Sequence, residues 1–438
     1  MFREYLRNLR LFSRNARLLL LGTFVGALGT GMVWVLRNLY LRKIGIEDSK
    51  IGNVLSLNSL GLLAVTIPAA VLMDRFRLKG FLLAAGFLGT VGVLGQLVTH
   101  SVTHILFWSF VAGVAASLGM VVIPPFVMRN TGTSERVYMF GFLAVVATAG
   151  SALSMIFAGL ITLCLGDTAT VLRGVMIGGC IVGFLAGAPL FLIREAPVER
   201  GVGTGLESWF RGRDWRTIGK LCIPDFLIGC GAGLTIPFFP MYLQTRFGIP
   251  SDRNSWVSAA SQLVNMVGFG ASPLIARRLG LVKSVVASQL LSIPFFAILA
   301  VTTNLHVAIA ALLLRNVLMN MAQPVNSNFA MEVVPENQRA FTNCLKSVSW
   351  NASGVVTTSA GGYMSDHFRE IWAWLPWRNV DPSRFGVRDG FSLSMFVTIS
   401  LYLVAASVFY LFFRGHRGAR TADAPVLVPA VAGGADAE

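Results

Sequence analysis

The chain has 438 residues, of which 54% are apolar and 13% charged, with 36 Lys and Arg against 21 Asp and Glu. Water-soluble chains carry roughly 25% charged residues, so this composition leaves too little charge to hydrate a soluble surface, and lipid is the expected solvent. The net charge of +15 sits in short segments between long apolar runs, which fits a topology signal and argues against a nucleic-acid footprint.

A helix needs about 20 apolar residues to cross the hydrocarbon core. In chain order the apolar runs predict spans near 17–41, 51–73, 80–100, 104–128, 137–163 and 170–193, then near 218–243, 254–276, 283–303, 306–329, 339–364 and 390–413. The expected fold is all-α and integral to the membrane, with about twelve transmembrane helices in two pseudo-symmetric six-helix bundles. A basic segment, 1–16, precedes the first bundle, 17–193. A polar linker, 194–217, leads to the second bundle, 218–413. An Ala-, Gly- and Pro-rich tail, 414–438, is expected to be disordered. The first apolar run is too long for the core of a cleaved signal, so it reads as a span with a basic flank.

Charge in the loops orients the spans. Arg75, Arg77 and Lys79, then Arg129 and Arg136, the linker arginines, Arg277 and Arg278, and Arg339 fall on one side. That bias predicts cytoplasmic termini in a multi-pass protein of the bacterial inner membrane. The segment 365–389 is the outward exception, with mixed charge. Its Trp372, Trp374 and Trp377 read as an interfacial anchor or as a flap over the outer mouth.

The halves match at a nearly constant offset. Asn38-Leu39-Tyr40-Leu41 resembles Pro240-Met241-Tyr242-Leu243, Gly29 and Gly31 fall on Gly231 and Gly233, and Arg136 falls on Arg339. Six spans per half give both halves one orientation, related by an axis along the membrane normal.

The loop after the second span reads Ala70-Val71-Leu72-Met73-Asp74-Arg75-Phe76-Arg77-Leu78-Lys79. It resembles the major facilitator superfamily signature Gly-x-x-x-Asp-Arg-x-Gly-Arg-Lys/Arg, matching at Asp74, Arg75 and Lys79 and departing at Ala70, Arg77 and Leu78. With the span count, linker and repeat, the resemblance covers 17–413. It implies alternating access around a cavity lined by spans 1, 4, 7 and 10. It also implies a cytoplasmic gate built on Asp74, Arg75 and Lys79. Arg129 and Glu332 stand at repeat-related positions and are candidates to pair across the halves, with Glu135, Arg136 and Arg339 extending the network. The other reading of these charges is that they are solvated and only set topology. The fifth span, Ala149-Gly150-Ser151-Ala152-Leu153-Ser154, lacks the proline of the family's antiporter signature.

Polar groups in hydrocarbon are costly and usually face the bundle interior. Asn316, Asn320, Gln323 and Ser327 share one face of span 10 at three- and four-residue steps, with Arg315 beside them. Span 1 has a related face through Thr23, Gly26, Thr30, Trp34 and Arg37. Asn351 lies on span 11 with Asn343, Lys346, Ser347 and Trp350, and Asn58, Gln262 and Asn265 add weaker positions. The substrate-binding candidates are Trp34, Arg37, Arg315, Asn316, Asn320, Gln323 and Asn351. Interhelical hydrogen bonding, headgroup snorkelling for Arg37 and interfacial anchoring for Trp34 are the alternatives. Asp225 and Lys346 are the proton-coupling candidates, either as an ion pair or with Asp225 as carrier.

Arg37, Arg315 and Lys346 against Asp225 leave the spans net positive, so the expected substrate is a small organic solute with an anionic group. The reading is a secondary active transporter, with proton coupling open. An efflux antiporter of amphipathic compounds and a non-transporting sensor are the alternatives. No nucleotide-binding loop, metal triplet or Ser-His-Asp spacing occurs, and the five cysteines form no metal-type pair, so neither enzyme activity nor a cofactor or metal is expected. The expected partners are the substrate, the lipid bilayer and, if coupled, protons, with the protein a monomer and no nucleic acid.

Overall fold

The computed structural model describes residues 12–73, 76–131, 133–194, 212–335, 338–374 and 381–415. Twelve long helical segments follow one another among them. The first half comprises α1 (Arg14–Lys43), α2 (Asp48–Leu72), α3 (Leu78–Val98), α4 (Val102–Asn130), α5 (Thr133–Leu165) and α6 (Ala169–Leu185). A short helix, Gly187–Phe191, extends α6. The second half comprises α7 (Trp215–Thr235), α8 (Ser251–Leu279), α9 (Leu281–Val301), α10 (Leu305–Val333), α11 (Arg339–Asp366) and α12 (Gly390–Phe413). A 3-10 turn at Ile236–Phe238 interrupts α7, and Phe239–Phe247 then continues its path. Pro237 and Pro240 supply no amide donor there, which explains the break.

Ten of these segments are long and apolar enough to cross a membrane, counting α7 with its continuation as one. The other two, α8 and α11, match the predicted spans 254–276 and 339–364 but carry more polar side chains. Helix α11 satisfies many of these locally. Asn351 donates to Ser347 O at 2.7 Å, Thr357 to Ser353 O at 2.8 Å and Thr358 to Gly354 O at 2.6 Å. Back-bonding of this kind lets a Ser- and Thr-rich helix sit at membrane depth. Glycines bring it close to both neighbours. A side chain at Gly362 would collide with Asp48 of α2, and one at Gly233 of α7 with Thr357. Many large apolar side chains on other helices are exposed, including Phe87, Phe107, Leu163 and Ile181, as expected where the surroundings are acyl chains.

Core packing differs between the two ends. At the end bearing the termini, one buried cluster (Phe12, Leu19, Leu78, Phe126, Met139) belongs wholly to the first half. Another (Leu221, Val285, Phe329, Phe409) belongs wholly to the second. At the opposite end a single cluster joins Leu36, Tyr40, Ile51 and Met176 to Phe238, Tyr242, Phe296 and Tyr402. Polar links between halves concentrate at that end. Asn38 Nδ2 donates to Pro237 O at 2.8 Å, a carbonyl at the α7 break. Arg42 pairs with Asp48 and donates to Thr245 Oγ1 at 2.6 Å, while Ser365 Oγ donates to Asp48 at 2.8 Å. Ser49 N donates to Asp366, and Ser251 N to Asp167. The halves are therefore latched at the end away from the termini and separate at the end that bears them.

The predicted outward segment contains a short helix, Phe368–Trp374. Trp372 is buried against Val387 and Leu393 at the start of α12, and Trp374 is exposed. Trp372 thus anchors the segment to its own half. Trp377 lies outside the described residues.

Candidate substrate cavity

A cavity of about 700 Å³ lies between the halves. Helices α7 to α12 supply most of its wall. Among the described residues the first half contributes Trp34 of α1 and Met120 of α4. The latch described above seals one end.

Arg315 is 2% exposed. Its Nη1 donates to Asn316 Oδ1 at 2.8 Å and its Nη2 to Tyr402 Oη at 3.1 Å. The guanidinium carbon lies 4.6 Å from the Phe296 ring centroid and 5.9 Å from that of Phe239. Aromatic faces stabilise a cation without neutralising it. No carboxylate among the described residues pairs with Arg315, and its Nε has no partner. A buried guanidinium with an unused donor edge is suited to a planar anion.

One level away, Lys346 Nζ stands 3.3 Å from Asp225 Oδ2, and Asn326 Nδ2 donates to Asp225 Oδ1 at 2.9 Å. Both charged side chains are largely buried, and all three residues line the cavity. Desolvation opposes such a pair while hydrogen bonding and mutual attraction hold it. Removing one partner strands the other.

Of the sequence candidates, Trp34, Arg315, Asn316, Asn320, Gln323, Asn351, Asp225 and Lys346 line this cavity. Asn320 Nδ2 also donates to Asn265 Oδ1 at 3.0 Å, tying α10 to α8. Arg37 is not part of the wall. It is half-buried one turn beyond Trp34, and its Nε has no partner. Of the polar face of α1, Trp34 reaches the cavity, while Thr23 and Thr30 do not line it. Asn58 donates to Ser109 O at 3.1 Å and fastens α2 to α4.

Of the expected gate, the described residues show only part. Arg129 and Glu332 are exposed and do not pair with each other, because they lie at the end where the halves are apart. Lys79 Nζ donates to Phe191 O at 2.6 Å and Ile193 O at 3.1 Å, closing the end of the sixth span within its own half. Arg339 Nε donates to Met331 O at 2.9 Å, also within its half. Asp74 and Arg75, and the side chains of Glu135 and Arg136, lie outside the described residues.

Sequence reasoning missed Asn254, Gln289, Asn326 and Tyr402, all of which line the cavity. Gln289 was detectable as a lone amide inside an otherwise apolar run. Tyr402 carried no comparable signal, because tyrosine among aliphatic residues reads as core or interface.

The family model described as Major Facilitator Superfamily matches residues 19–224 and again 221–429. A search of curated protein sequences finds no significant match. Among solved structures, the chain resembles a bacterial homologue of the human lysosomal transporter Spinster in an inward-facing, occupied conformation. Identity is 15% and the TM-score 0.71, over 91% of this chain and 96% of that one. The nucleoside transporter NupG matches at 14% identity and TM-score 0.72, over 92% and 100%. An inward-facing bacterial homologue of the iron transporter ferroportin matches at 16% identity and TM-score 0.67, over 91% and 98%. At such identities the likeness concerns the fold.

Proposed function

The chain belongs to the Major Facilitator Superfamily, and from that premise we propose that it is a secondary active transporter for a small organic anion, working by alternating access. The observation that carries the substrate charge is Arg315, a buried cation that faces the cavity with no carboxylate partner among the described residues. The Asp225–Lys346 pair supports coupling to protons. Protonation of Asp225 cancels its attraction for Lys346, so the pair can register a proton as a local rearrangement between α7 and α11. The positive loops support cytoplasmic termini in the bacterial inner membrane, which makes the open end the cytoplasmic one.

Arg315→Gln tests the charge assignment. In proteoliposomes, wild-type uptake of a carboxylate panel is expected to fall at least tenfold in the variant, with folding checked by its melting temperature. Carboxylate uptake that is indifferent to this substitution overturns the anion reading. An efflux antiporter of amphipathic compounds is the second reading, favoured by Trp34, Met120, Met319 and Trp350 in the wall. It predicts transport of amphipathic compounds that carry no carboxylate instead.

A further inference from the structure

The unpartnered, buried polar atoms of the residues that wall this cavity describe the ligand more closely. Three of its wall residues are almost completely buried and hold side-chain atoms without partners: Asn254 at 1% exposure, Arg315 at 2% and Gln289 at 3%. Their unused atoms are Nε of Arg315, Oε1 of Gln289, and both Nδ2 and Oδ1 of Asn254; Lys346 Nζ and Asn326 Oδ1 in the same wall also lack a hydrogen-bond partner, but both side chains are held against Asp225. Buried polar atoms are seldom left unpaired, because each has lost its hydration without a replacement hydrogen bond. Here three such side chains, on α8, α9 and α10, line one chamber.

Their chemistry is mixed in a specific way. Arg315 offers a charged donor edge, which selects a carboxylate or a similar anion. Gln289 offers an acceptor, so the ligand must also donate. Asn254 offers a donor and an acceptor together, the complement of a hydroxyl group. An ammonium would satisfy Gln289 equally, but it would also demand a counter-charge, and Asp225 in the wall is engaged by Lys346 and Asn326.

Counted along their helices at 1.5 Å per residue, Asn254, Arg315 and Gln289 lie about 5, 15 and 18 Å from the latched ends of α8, α10 and α9. The three are therefore spread along the chamber, which fits a ligand with several hydroxyls rather than one compact acid. We propose that the cavity recognises a polyhydroxylated carboxylate, a sugar-acid type of molecule. Its carboxylate lies on Arg315 and its hydroxyls on Gln289 and Asn254. This inference rests on the transport reading above but adds the hydroxyl requirement to it.

The test compares three probes by calorimetry and thermal shift on the purified full chain: D-gluconate, hexanoate and D-glucitol. Gluconate is expected to bind at least tenfold more tightly than either other probe. Hexanoate binding as tightly as gluconate overturns the hydroxyl requirement and leaves the anion reading standing. Glucitol binding as tightly overturns the anion reading itself. Failure of all three to bind overturns the proposed ligand class. Gln289→Met keeps the size and removes the acceptor. It is expected to lower gluconate affinity about tenfold while leaving hexanoate unchanged, and equal losses for both ligands would contradict the assignment. The wild-type comparison stands even where a variant does not fold.

Discussion

Asp225 and Lys346 form a buried ion pair, and the proposed proton coupling gives its removal two separate readouts. Asp225→Asn removes the anion and leaves Lys346 buried without a counter-charge, which typically costs about 3–5 kcal/mol. We expect a clear loss in melting temperature, together with uptake that no longer responds to a pH gradient or an uncoupler. The double variant Asp225→Asn with Lys346→Met removes both charges and is expected to regain most of the stability without regaining coupling. A double variant as unstable as the single one would show that the pair's attraction is not the source of the loss. Asp214 makes a different residue-scale case. It caps α7 by accepting from Thr217 N at 3.1 Å, and hydrogen bonds from Thr217 hold its carboxyl below the usual aspartate range. A depressed carboxyl contributes stability above its ordinary pKa and loses it as the pH falls through the lowered value. Asp214→Asn should therefore flatten the acid limb of a melting-temperature profile.

At the scale of elements, ten of the twelve helical segments were legible because length and apolar content alone define a crossing helix, whereas α8 and α11 carry more polar side chains and rest on the repeat and the loop charges as well. The amide stripe of α10 was legible because Asn316, Asn320 and Gln323 repeat at helical spacing. Gln289 and Asn254 were not, since each is a single amide and only the packing of α8, α9 and α10 brings them to one chamber. Arg37 misled for the converse reason: helical spacing put it on the face of Trp34, but a residue one turn further on lies past the cavity wall. The break at Ile236–Phe238 also escaped, although Pro237 and Pro240 marked it. Helix α11 carries the closest approaches between halves, and its glycines are the condition for them. Gly362→Val would force a side chain into Asp48 of α2. We expect that variant to loosen the latch, seen as faster maleimide labelling of a cysteine introduced near the latched end. Unchanged labelling would mean that another contact controls the seal.

For the whole molecule, the shared hydrophobic cluster and the links through Asn38, Arg42, Asp48 and Asp167 hold one end shut, while separate clusters stabilise each half at the other. Arg42 reaches across to Thr245 and the Met241 carbonyl at 2.6 and 3.3 Å while pairing with Asp48. Arg42→Ala is expected to shift the population toward the opposite opening, measured as a longer distance between spin labels on the latched ends of α2 and α11. No change in that distance would mean that apolar packing alone keeps the end closed.

The uneven ownership of the chamber has a consequence for turnover. Nearly every polar group available to a solute belongs to α7 through α12, with Trp34 and Met120 as the facing surface. A passenger would thus stay seated on one shell while the other swings past it. Substitutions across α1 to α6 should change how fast the shells exchange far more than how tightly the passenger is held.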